Sequence, residues 1–215
     1  VKSILRITLL ASLLGAYSLQ PVFAFDESAF RNASRQIQEA STKNSESALS
    51  SALETLSRLA QQEPGNPLLQ AYLGSAETMQ AKFTLFPWKK MEHCENGLAK
   101  IDKALQQRDA GHDKALVRGV PLSLETRLIA ANTFLALPDL FKRSQAGHKQ
   151  LLALLSSPLL INSPEGFRSS VVHLALKTAK ADKIPADKIE ILQKMNSAQA
   201  NERLEVQTKL KEIWK

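Results

Sequence analysis

Residues 66–105 constrain the fold more than any other part of this chain. Asn66-Pro67 reads as a helix start, because Asn caps well and proline suits the first helical position. From there Leu69, Tyr72, Leu73, Ala76 and Met79 recur at helical spacing. A second run follows, with apolar residues at 88, 91, 94, 98, 101 and 105. Phe83-Thr84-Leu85-Phe86-Pro87-Trp88 joins the two runs through an apolar, aromatic connection. Two helices joined this way return against each other as a hairpin. Gly74 and Gly97 let the two backbones approach closely, while Leu73 and Ile101 fill the remaining volume.

Helical periodicity extends along nearly the whole chain. No stretch sustains period-2 alternation, glycine is scarce at 8 residues, and prolines supply the punctuation. The pattern predicts an all-α fold. A helix or helix pair spans 28–62, divided by the polar break at 41–45. Further helices are expected over 67–83, 88–107, 121–137, 139–156 and 164–180. A polar loop covers 108–120, an irregular link lies between Pro158 and Pro164, and one long C-terminal helix starts at Pro185.

Residues 1–24 have the grammar of an export signal. Lys2 and Arg6 form a basic start, residues 7–19 are mostly apolar, Pro21 breaks the run, and Val22-Phe23-Ala24 offers a cleavage site. The apolar stretch is shorter than the roughly 20 residues of a spanning helix. Cleavage after Ala24 and a periplasmic or secreted location are therefore expected, with 25–215 as a single domain. Without Lys2 and Arg6 the chain carries 26 basic against 21 acidic residues, about +5. These charges are interspersed, whereas nucleic-acid binding calls for a concentrated basic face, so no nucleic-acid partner is expected. The single cysteine, Cys94, excludes an intramolecular disulfide, and its place on the stripe between Met91 and Leu98 predicts a buried, inert thiol.

The segment around residues 52–105 resembles the tetratricopeptide repeat (TPR), a two-helix unit of about 34 residues with small residues at the helix crossings. Ala52, Leu56 and Leu59 match second-helix positions ahead of Pro64, Leu73-Gly74 matches the leucine-glycine pair of a first helix, and Gly97, Ile101 and Ala104 match the following second helix. The Gly74–Gly97 separation is about eleven residues longer than a standard unit, which places residues 83–88 in an extended tip. Beyond residue 110 the match is loose. The resemblance implies a divergent, TPR-like exported bacterial protein, with hairpins stacked into a short right-handed array. It also implies an activity of binding rather than catalysis.

The chemistry-bearing motifs are absent: no phosphate-binding glycine loop, CxxC, HExxH or GxSxG occurs. The four histidines are dispersed. His93 and Cys94, flanked by Glu92 and Glu95, project about 100° apart on a helix and do not converge on a metal. No catalytic, cofactor or metal residue is assigned. Two features carry candidate partner-binding residues. The first is the aromatic tip, with Phe83, Phe86 and Trp88, read either as a docking anchor or as a cap folded over the core. Lys82, Lys89 and Lys90 around it suit an acidic partner or weak contact with an anionic membrane surface. The second is the concave face of stacked hairpins, onto which Leu68, Ala71, Ser75 and Thr78 are expected to point, with Glu125, Arg127 or Asn132 from the later hairpin. The last helix is read either as a cap packed across the preceding hairpins or as a homodimer contact made by swapping onto a second protomer. The resulting expectation is a non-enzymatic protein–protein interaction module of the cell envelope. A carrier of a small apolar ligand or lipid is the alternative, and a hydrolase of unrecognised type the third reading.

Overall fold

The computed structural model describes residues 25–198 and 201–210; the expected export signal, residues 1–24, lies outside them. The described chain is all-α, as helical hairpins: α1 (Glu27–Lys43), α2 (Glu46–Gln62), α3 (Pro67–Gln80), α4 (Pro87–Gln107), α5 (Ala110–Lys114), α6 (Leu122–Ala136), α7 (Ser144–Leu155), α8 (Pro158–Ile161), α9 (Glu165–Ala181), α10 (Ala186–Ser197) and α11 (Arg203–Leu210). A 3-10 turn, Asp139–Phe141, links α6 to α7. Among the described residues no helix is long and apolar enough to cross a membrane.

Local chemistry sets the helix starts. The Asp26 carboxylate accepts from the Ser28 and Ala29 amides, Ser45 caps α2, and Asn66 caps α3 ahead of Pro67. Asn66 is fully buried and its amide also donates to Glu63 Oε2 at 2.9 Å, so the junction between α2 and α3 is pinned rather than loose.

The α3–α4 crossing is as tight as the two glycines demand. A Cβ on Gly74 would lie 2.5 Å from the Gly97 carbonyl oxygen and 2.9 Å from Ile101 Cγ1. A Cβ on Gly97 would strike the Gly74 carbonyl oxygen and lie 2.6 Å from Thr78 Cγ2. Lys100 Nζ to Glu77 Oε2, at 2.8 Å, closes the same pair of helices from the side.

Helix α6 is the hub. Leu122 joins the core of α1–α3, Leu124, Leu128 and Ala131 join the core of α7–α11, and Ala130 and Phe134 meet Leu98 and Ile101 of α4. Because α6 is buried on most sides and mixes polar with apolar residues among its buried positions, it shows no clean polar stripe to set a register, and the sequence resemblance is loose there.

Two local expectations are corrected. The 108–120 loop contains α5 and a small antiparallel hairpin, Leu116–Val117 with Val120–Pro121. The long C-terminal helix is instead two, because the backbone is extended at Ala198 (ψ 140). Residues 196–203 contain no large apolar side chain, so nothing buried would hold a helix through that stretch. The Arg203 guanidinium donates to the Ala198 carbonyl at 3.0 Å, and Gln207 Nε2 donates to the Leu155 and Ser157 carbonyls, turning α11 back onto the core.

Candidate functional site

Two surfaces carry chemistry, and they are built in different ways. The first is the tip between α3 and α4. Proline at the first position of α4 and extended backbone at Phe86 start the helix abruptly, without a side-chain cap. The connection therefore projects outward. Leu85 is 90% exposed, Trp88 65% and Phe86 50%, whereas Phe83 turns inward against the core of α1–α3. The Phe86 and Trp88 rings pack with centroids 4.9 Å apart, and Lys89 Nζ sits 6.0 Å from the Phe86 ring. A cap over the core would bury Phe86 and Trp88, so only Phe83 fills that part. Met91, one turn into α4, is also exposed and lines a shallow hollow with Leu98, Leu140 and Phe141; Leu140 is 61% exposed. The apolar surface thus continues from the tip onto the 3-10 turn. The rim of that hollow is fixed by a bidentate pair, Arg143 to Asp102 at 2.7 and 3.0 Å, with Arg143 also 5.3 Å from the Phe134 ring.

The second surface is a cleft of about 640 Å³ between α1, the hairpin, α6 and α9. The turn at Arg118-Gly119 builds its floor. Both residues have positive φ (55° and 76°), the type I′ geometry of a two-residue hairpin, and a side chain at Gly119 would also press on Pro164. That turn aims Arg118 at Glu125, with which it forms an ion pair, while its guanidinium stacks 5.3 Å from the Phe30 ring. The Tyr72 hydroxyl donates to the same Glu125 oxygen at 2.8 Å. Burial raises the Glu125 carboxyl above its ordinary value, against the opposing pull of Arg118 and the Tyr72 bond. Burial and the neighbouring carboxylate push the Tyr72 phenol well up. Glu125 Oε2 is buried without a hydrogen-bond partner among the described residues. On the outer wall, Arg31 and Arg35 stand one turn apart on the same face of α1.

Compared with protein-family models, curated proteins and solved structures, the chain matches none. Its site chemistry therefore rests on its own geometry.

The expected groove residues scatter. Ser75 lies in the α3–α6 contact, where its hydroxyl accepts from Thr133 at 2.9 Å, and Thr78 is buried beneath Gly97. Neither lies on an open face. Arg127 Nη1 donates to Gln150 Oε1 at 2.7 Å between α6 and α7. Burial pulls the Arg127 guanidinium down, and burial with repulsion from Arg127 brings Arg108 down to about 10. Asn132 is exposed and lines a separate hollow with His148 and Asp182. There His148 Nε2 meets Asp182 Oδ2 at 2.7 Å, and Ser144 Oγ lies 3.4 Å from Nδ1. Nδ1 is closer to the Ser144 carbonyl oxygen, at 2.8 Å, and a carbonyl only accepts. Nδ1 must therefore donate, so it cannot take the Ser144 hydroxyl proton. The histidine is a strut between α7 and the end of α9, not a general base for that serine.

Cys94 is buried, and burial together with Glu95 raises its thiol, the opposite of an activated nucleophile. Among the described residues no three His, Cys, Asp or Glu side chains converge on a metal position. The cleft escaped the sequence because its residues come from positions 31, 35, 72, 118, 125 and 167. Arg31 and Arg35 at i, i+4 and the Arg118-Gly119 turn were its two local signals.

Proposed function

We propose that this chain is a non-enzymatic, TPR-like protein-binding module whose partner docks on the aromatic tip. One observation carries the reading: Leu85, Phe86, Trp88 and Met91 form an exposed apolar surface that continues to Leu140. Exposed Trp and Phe over a rigid helical base are the residues from which interface hot spots are made. The partner would bring an apolar side chain to the tip and acidic groups to Lys82, Lys89 and Lys90, which steer encounter more than they add affinity. The tight α3–α4 crossing supports the reading by fixing the tip's position, so little ordering cost attends docking. Export to the cell envelope belongs to the same proposal and rests on the pattern of residues 1–24.

The test places a photo-crosslinking residue at Leu85 in the tagged chain, expressed in its native cells, with a second variant carrying it at Arg58 on α2. A stoichiometric partner crosslinked from position 85, absent from position 58 and lost in Trp88→Ala, supports tip docking. Equal capture from both positions, or no stoichiometric partner, overturns it. Because Trp88 is exposed, Trp88→Ala should leave the melting temperature unchanged, within roughly 0.5 kcal/mol of stability.

A further inference from the structure

We infer that the cleft between α1 and α9 is a binding site for a small organic anion: an oxyanion head on Arg31 and Arg35, and an apolar body against Val120, Leu128 and Phe167. The site is separate from the tip and does not depend on the protein-docking reading.

The charge balance comes first. Three arginines and one glutamate line the cleft, and Glu125 is already paired with Arg118. Arg31 and Arg35 have no carboxylate partner among the described residues, where the one hydrogen bond of either side chain is donated by Arg35 Nη2 to the Asn32 amide oxygen, at 2.9 Å. Two guanidiniums one turn apart on the same cleft wall offer enough N–H donors to grip a carboxylate or phosphate oxygen pair. Elsewhere three lysines on exposed helix faces are engaged by a carboxylate one turn away, Lys43 by Glu39, Lys194 by Glu190 and Lys209 by Glu205. These two arginines face a cavity instead.

Facing wall and volume define the rest of the ligand. Opposite α1, the cleft is lined by Val120, Leu128, Pro164 and Phe167, so one wall is cationic and the other apolar. A volume of about 640 Å³ lies within the range of small-molecule sites, roughly 300–1,000 Å³. Helix α9 adds a further anion-attracting element. It is 17 residues long, starts at Pro164 with no side-chain cap, and contributes Pro164 and Gly166 to the lining. Gly166 leaves open space there, since a Cβ on it would meet nothing within 4 Å. At the floor, the unpartnered Glu125 Oε2 would accept a hydrogen-bond donor, which a hydroxyl or amide on the ligand, or a water brought in with it, supplies.

The head chemistry is shared by carboxylates and phosphate monoesters, and the probes separate them. Decanoate, decyl phosphate, decanol and decyltrimethylammonium, each below its micellar range, are titrated into the purified chain by calorimetry at low salt. At least one anion should bind at one site per chain, about tenfold or more tighter than decanol, and the cation not at all. Arg31→Ala/Arg35→Ala should remove that preference, while Lys103→Ala on α4 keeps it. Both arginines are exposed, so the double variant should melt with the parent. Which anion binds tighter assigns the head as carboxylate or phosphate. Anions binding no better than decanol, or anion binding that survives the double substitution, overturns the site.

Discussion

Glu125 is the residue at which burial and pairing compete most sharply. Its carboxyl sits above the ordinary value because removal from water outweighs the help of Arg118 and Tyr72. A carboxyl raised in the folded state contributes stability that is fully present below its unfolded value and is lost as pH rises through the folded one. Folding should therefore favour the parent over Glu125→Gln more at about pH 4 than at about pH 7. Melting temperatures of the two proteins across that window measure it; a difference that stays flat or grows toward neutral pH would mean the Arg118 pair outweighs burial. Cys94 yields a second expectation at this scale. Its buried thiol, raised by desolvation, should react with a thiol-specific chromogenic disulfide at least about tenfold more slowly in native protein than in denaturant. Equal rates would place the thiol at the surface. The burial of Cys94 was legible in advance because it sits on a single apolar stripe. Glu125 was not, since nothing local announces that Arg118 and Tyr72 will meet it.

At the scale of elements, glycine in a helix interior is informative because it is costly there. Ala normally stabilises such positions by roughly 0.5–1 kcal/mol. At Gly74 the sign should reverse. The added Cβ meets a backbone oxygen at 2.5 Å, which cannot rotate away, so the helices must separate. Gly74→Ala should cost about 1–3 kcal/mol, several degrees of melting temperature for a domain of this size. Gly166→Ala, with nothing within 4 Å, should be neutral or slightly stabilising. If thermal unfolding found the two variants alike, the close crossing of α3 and α4 would be wrong. This crossing was readable from residues 74 and 97 because backbone approach leaves a residue-type signature. The division of the last helix into α10 and α11 was harder. Ile189, Leu192 and Met195 announce a helix, but its end depends on Arg203 reaching the Ala198 carbonyl and Gln207 reaching the Leu155 carbonyl at the end of α7, contacts that no periodicity encodes.

For the whole molecule, α6 decides whether the hairpins behave as beads or as one body. It supplies Leu122 to one core, Leu124 and Leu128 to a second, and Ala130 and Phe134 to the third, so no core is complete without it. Repeat arrays joined only through neighbours unfold piecemeal, whereas elements sharing a central helix lose packing together. Urea unfolding followed by far-UV circular dichroism, by the near-UV signal of the aromatic side chains, buried Tyr72 among them, and by exposure of Cys94 should give one coincident transition. Tyr72 lies between α3 and α6, and Cys94 is buried on α4 across the crossing, so the probes sample different elements. Phe134→Ala should then lower all three curves by the same amount, about 3–5 kcal/mol for a fully buried aromatic. Curves that separate, with Cys94 exposed well before the backbone signal is lost, would mean that α4 and the tip detach as a unit. In that case docking at the tip would also have to carry the ordering of α4, and tip affinity would fall in Phe134→Ala although no tip residue had changed.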